Sequence, residues 1–183
     1  MKMALVSDLV DAIRARDWVR AMARLSSHPG EANIANQNGW LPLHYPCWKQ
    51  APLAVVQALL HAHPAAASTP TVEGHLPLHM AAYNQAPLEV VQLLLRTYPE
   101  GASTASNNGC LPLHSATLFN TPASVEVVAA LLAEHPEAAL AYANDGRLPN
   151  LTRYPAVAIA AALRAQVAAR RRPAMLAWRA ARM

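Results

Sequence analysis

The histidines and cysteines are the residues of this chain whose chemistry reaches furthest: eight His and two Cys in 183 residues. Gathered with acids they could hold zinc, which takes N, S or O ligands at roughly 2.0–2.3 Å. A Cys beside a His could instead be an activated nucleophile. Their spacing argues against both. Cys47 and Cys110 lie far apart, with no Cys-x-x-Cys and no Cys/His zinc pattern. His44, His79 and His114 each close an identical Leu-Pro-Leu-His, and His28, His63 and His135 each precede a proline. Only His61 and His75 stand outside these registers, without ligand partners beside them. Gly-x-Ser-x-Gly, glycine-rich phosphate loops and His-Glu-x-x-His are absent from the sequence. No catalytic residue, metal site or cofactor is expected, and the chain reads as a non-enzyme.

The registers are themselves the main signal. Gly39, Gly74, Gly109 and Gly146 recur at 35, 35 and 37 residues, each followed two positions later by Leu-Pro. Pro29, Pro64, Pro99 and Pro136 keep the same period, as do Pro52, Pro87 and Pro122, so that 11 of the 15 prolines occupy repeat positions. The glycine supplies positive φ for a tight turn. The Leu-Pro proline suits the first position of a short helix, such as 77–84. Pro52 and Pro87 are expected to start a second helix, with Glu89 and Glu126 near its positive end. Val55, Val56, Leu59 and Leu60, with their counterparts in the next two units, give that helix an apolar stripe. Pro64, Pro99 and Pro136 should stop it. Two extra residues in the third unit fall between Pro122 and Val127, with Ser124 as an expected N-cap. Neither helix could bury its stripe alone, so the units must stack.

Composition agrees. The chain is 54% hydrophobic and 14% charged but only 5% aromatic, which favours thin, closely packed helices built from Ala, Val and Leu. Net charge is +4, unevenly spread: residues 156–183 carry six Arg and no acid, and the rest of the chain is slightly acidic. Two widely spaced cysteines suit a reducing compartment. No apolar run approaches a membrane span and Asp8 and Asp11 interrupt any leader-like segment, so an intracellular, cytoplasmic chain is expected, with the nucleus as the alternative.

The pattern from Gly74 to Ala82 (Gly-x-Leu-Pro-Leu-His-x-Ala-Ala), followed by Leu-Glu-Val-Val-Gln-Leu-Leu-Leu at 88–95, resembles the ankyrin repeat. The usual threonine before the Pro is leucine here, and the period is about two residues longer than the family norm. The resemblance implies an all-α solenoid of stacked helix-turn-helix repeats. Residues 1–35 would form an N-terminal capping repeat. Residues 36–150 would hold three repeats and the start of a degenerate fourth, with Leu151 in place of the His. Residues 151–183 would form a capping helix and an Arg-rich tail. The resemblance also implies that the Leu-Pro-Leu-His histidines bond the adjoining turn.

It further implies a monomeric module that grips another protein in a concave groove made by the turn tips and first helices. Mapped onto this chain, the groove positions are Trp40, His75, Cys110 and Arg147 after the glycines, and Trp48, Lys49, Tyr83, Asn84, Leu118 and Phe119 toward the helix ends. Exposed Trp and Tyr are the residues that carry interface energy. The competing reading is that Trp48 and Phe119 fill gaps in short helices disturbed by prolines such as Pro46. Cys47 stands where the repeat uses Ala and should be buried, whereas Cys110 should be exposed and oxidisable. A rival function lies in the tail, where Arg170, Arg171 and Arg172 could meet nucleic acid or anionic lipid.

Overall fold

A computed structural model describes residues 8–118, 125–152, 154 and 156. Every regular element among them is helical. The helices are α1 (Asp8–Arg14), α2 (Trp18–Ser27), α3 (His44–Lys49), α4 (Leu53–Ala62), α5 (Pro77–Tyr83), α6 (Leu88–Thr97), α7 (Pro112–Thr117) and α8 (Val125–Glu134). Odd-numbered helices pack on one another in an inner row, and even-numbered helices form an outer row behind them. Each unit contacts its neighbours along the chain, as a solenoid requires. The core between the rows is made of Val55, Val56, Leu59, Leu60, Val90, Val91, Leu94, Leu95, Val127, Val128, Leu131 and Leu132, all buried, with Ala81 and Ala82 from the inner row.

Pro77 and Pro112 stand at the first helical position, where a missing N–H costs nothing. The first repeat departs from this expectation: α3 begins at His44, two residues after Pro42. Pro46 is the cause, because it has no N–H to donate to the Pro42 carbonyl, and the helical ladder cannot begin there. Pro52 and Pro87 also sit one residue earlier than expected. With ψ near 145° they are N-caps just outside α4 and α6. Pro64, Pro99 and Pro136 end the outer helices and then open a single 3₁₀ turn each, at Pro64–Ser68, Pro99–Ser103 and Pro136–Leu140, which the sequence pattern does not announce. Pro122 and Ser124 lie outside the described residues, as does the helix expected beyond Ala156.

The link between inner and outer helix is equally compact. Gln50 and Gln85 adopt left-handed conformations, φ 54° and 55°, and the N–H groups of Ala51 and Ala86 reach back to the carbonyls of Pro46 and Ala81. These are Schellman-type helix ends built without glycine. At the N-terminal side Glu31 holds the first unit together. It accepts from the Leu9 N–H (3.1 Å) and pairs with Arg24, whose guanidinium holds its carboxyl below the usual carboxylate range.

The turns before the inner helices stack directly. Val72 N–H donates to Asn38 O (2.9 Å), Asn107 N–H to Glu73 O (3.1 Å) and Asn144 N–H to Asn108 O (3.0 Å). The Asn107 and Asn144 side chains add a second bond each, to Val72 O and Asn107 O. At the equivalent position of the preceding turn Val72 offers no such donor and is 68% exposed. Gly39, Gly74, Gly109 and Gly146 all have φ between 72° and 81°. A Cβ on Gly74 would lie 2.7 Å from the Asn107 nitrogen and one on Gly109 2.8 Å from that of Asn144, whereas one on Gly146 would meet nothing.

Two predictions follow from this stack, both read by urea unfolding of the full chain. Gly146→Ala should cost only the left-handed strain of about 1 kcal/mol. Gly109→Ala should cost two to three times as much, because the next turn must also move; equal losses would mean that the turns are not in contact. Val72→Asn should supply the missing side-chain bond to the Gln37 carbonyl and raise stability by roughly 0.5–1 kcal/mol.

Candidate partner-binding face

Four aromatic rings run along the turn and inner-helix side of the first two repeats. Trp40, on the first turn, lies 5.3 Å from Tyr45 and 6.1 Å from Trp48, measured between ring centroids. Trp48, near the end of α3, stacks on Tyr83 of α5 at 5.3 Å and an interplanar angle of 14°. This last pair therefore crosses a repeat junction. Tyr45 is buried, its hydroxyl accepting from Asn36 Nδ2 (2.9 Å), and the Arg14 guanidinium lies over its ring at 5.8 Å. Trp40 and Tyr83 are half-buried and Trp48 is 37% exposed. Such rings combine apolar area with a rigid shape, the combination favoured at binding surfaces. Beside them opens a cleft of about 510 Å³, walled by Trp40, Trp48 and Lys49, by Arg14 at the end of α1, and by Glu73 on the second turn.

The expected groove residues are not all brought together. Trp40, Trp48 and Lys49 line this one cleft, and Tyr83 backs it through its stack on Trp48. Asn84 caps α5 and donates its side-chain amide to Met80 O, while its carbonyl accepts from Gln50. His75 is half-buried, its Nδ1 3.3 Å from a Glu73 carboxylate oxygen. Leu118, 49% exposed, follows α7, and Arg147 is exposed and paired with Asp145 on the fourth turn. Phe119, Arg170, Arg171 and Arg172 lie outside the described residues. Cys110 corrects an expectation: it is half-buried, and burial, with Asp145 adding to it, raises its thiol pKa. Its accessibility to oxidants is thereby reduced. Cys47 is fully buried in the position that Ala82 takes in the next repeat, and its thiol is pushed up to about 12. The sequence pattern missed Arg14, Asn36, Asn38 and Glu73 as cleft residues. Three of them sit beside repeat positions, but nothing in the first unit's sequence points Arg14 at the second.

The three Leu-Pro-Leu-His imidazoles sit behind this face, almost completely buried. Each Nδ1 accepts from the backbone N–H three residues earlier: Leu41 (3.0 Å), Leu76 (3.1 Å) and Leu111 (3.1 Å). With Nδ1 accepting, the proton of the neutral ring is on Nε2. His79 donates it to Cys110 O (2.9 Å) and His114 to Ala141 O (3.1 Å), each carbonyl belonging to the next unit. His44 Nε2 is buried close to the carbonyls of Thr69 and His75, without an aligned bond. A ring with both nitrogens engaged in this way has no lone pair for a metal or a substrate proton. Among the described residues no group of three His, Cys, Asp or Glu could hold a metal ion.

The family model for ankyrin repeats, in three copies, matches residues 50–144. The chain belongs to the ankyrin-repeat family. No curated protein matches it. Ankyrin repeats are generally protein–protein interaction modules and typically non-catalytic, and no helix among the described residues is long and apolar enough to cross a membrane. In the usual ankyrin repeat a threonine precedes the proline; here Leu76 and Leu111 take that place without a side-chain cap, and the histidine bond to their N–H is what remains of the cap.

Burial pushes His44 and His79 down from 6.5 to about 4, and His114 is lowered as well. The unfolded ankyrin chain therefore binds protons that the folded one refuses. Stability should be complete above about pH 6.5 and fall steadily toward pH 4, by roughly 3 kcal/mol for each of His44 and His79. Thermal melts from pH 7.5 to 4.5 test this, and His79→Gln should flatten part of the slope. A melting temperature indifferent to pH over that interval would show that these rings are not buried in the neutral form.

Proposed function

We propose that the chain binds another protein non-covalently through the face built by its turns and inner helices, and catalyses nothing. The observation that supports this best is the Trp40–Trp48–Tyr83 strip beside an open cleft, because Trp48 keeps 37% of its surface exposed while bridging two repeats. A core ring would be covered; an interface ring is held in place and left accessible. The stacked turns and histidine bonds hold the face rigid, so little conformational entropy is lost when a partner docks. In this reading residues 1–35 cap the array, residues 36–150 form the gripping surface, and residues 151–183 close it, in a monomer that works inside the cell. His75, Asn84, Cys110, Leu118 and Arg147 continue the surface along later repeats.

A second reading takes its support from the segregated charge: six Arg and no acid in residues 156–183. There the repeats only present Arg170, Arg171 and Arg172 to nucleic acid or an anionic membrane. One experiment separates the two. The full chain and its Trp48→Ala variant are used to capture a partner at low and moderate salt. Groove binding should survive moderate salt and weaken about thirtyfold in the variant, the ~2 kcal/mol of a central aromatic contact, with helical circular dichroism unchanged. Tail binding should be indifferent to Trp48 and collapse with salt. An unfolded Trp48→Ala protein would make that ring a core residue and remove the basis of the first reading.

A further inference from the structure

The cleft carries more information than its rings, because its charges are not balanced. Arg14 and Lys49 both face it, and neither makes an ion pair among the described residues. Glu73, exposed on its wall and 3.3 Å from His75 Nδ1, is the one acid that lines the cleft against these two cations. Arg14 is exposed, its guanidinium carbon 5.8 Å from the Tyr45 ring centroid, and no acid among the described residues pairs with its N–H groups. A guanidinium matches a carboxylate with two parallel hydrogen bonds. Lys49 ends α3 beside Trp48, so a second cation stands next to an exposed indole.

A cationic occupant fits less well. Cation–π binding needs an open ring face within about 6 Å. Here one face of Trp48 is covered by Tyr83, Tyr45 already carries Arg14, and the two cations of the cleft outnumber its one acid, Glu73. Resting on the groove reading above, we infer that the cleft takes a segment of a partner protein in which Asp or Glu adjoins an aromatic or large aliphatic side chain. The carboxylate meets Arg14 and Lys49, and the apolar neighbour lies against Trp40 and Trp48.

The test is selection of displayed random peptides of about ten residues on the full-length chain, followed by affinity measurements with the enriched peptides as synthetic probes. The expected motif pairs Asp or Glu with Phe, Tyr, Trp or Leu. Its affinity should fall about tenfold, the size of a charge-assisted hydrogen bond, in Arg14→Glu and in Lys49→Glu. Arg14→Gln and Lys49→Gln, gentler on the helix ends, should lose less in the same order. Replacing the peptide acid by Lys should restore binding to Lys49→Glu. Neutral or basic peptides that still lose binding in Trp48→Ala would overturn the acidic preference while leaving the groove reading intact. Acidic peptides insensitive to Arg14 and Lys49, but lost when Arg170, Arg171 and Arg172 are changed to Ser, would assign the preference to the tail and overturn it as well. If no enriched peptide depends on Trp48, both readings fall together.

Discussion

The array depends on the buried imidazole of each Leu-Pro-Leu-His repeat, whose Nδ1 accepts from the start of its own helix and whose Nε2, in His79 and His114, donates to the backbone of the next unit. His79 closes the start of α5 through Leu76 and reaches the next turn through Cys110; His114 does the same between Leu111 and Ala141. Local helix start and long-range stacking are thus joined in a single side chain. Removing such a ring would leave a buried N–H and a buried carbonyl unpaired at once, and orphaned buried groups are more costly than the bonds themselves are worth. The histidines that look most like catalytic or metal-binding residues in the sequence are for this reason the ones least able to act as either.

The glycine turns work toward the same end from outside the core. Positive φ alone would allow Asn or Asp in the turn at modest cost. What demands glycine at Gly74 and Gly109 is the next turn, whose Asn lies against the Cα. Imidazole and turn together set the distance between repeats, and the Val/Leu stripes of the outer helices fill the space so defined.

The period, the helix pairs and the buried stripes were legible because each rests on a local rule: proline at a helix start, glycine at positive φ, apolar residues every three or four positions. The 3₁₀ turns after Pro64, Pro99 and Pro136 were not, since a proline that ends one helix gives no sign that it opens another. Gln50 and Gln85 were missed for a related reason. Their left-handed conformations follow from a helix end closed by its own backbone bonds, with no residue type to mark them. The late start of α3 was within reach, because Pro46 forbids the bond that Pro42 would need. Of the binding face, residues on the repeat register were found, and Trp40, Trp48 and Lys49 do share a cleft. Arg14 could not be found: its place over Tyr45 depends on how α1 packs against α3, a contact between units with no common motif.

The stacked turns also have a mechanical meaning. The bonds joining Asn38 to Val72, Glu73 to Asn107 and Asn108 to Asn144 cross from one repeat to the next, as do the histidine bonds and the Trp48–Tyr83 pair. Within a junction these contacts share a load; between junctions the load is carried in series. A tether pulling on the two ends would therefore find a chain of separate springs, each yielding whole before its neighbour, so the molecule lengthens in steps of one repeat. The junction closed by the stacked rings would be the one that a bound partner braces, and the extension at which it gives way would report whether the face is occupied.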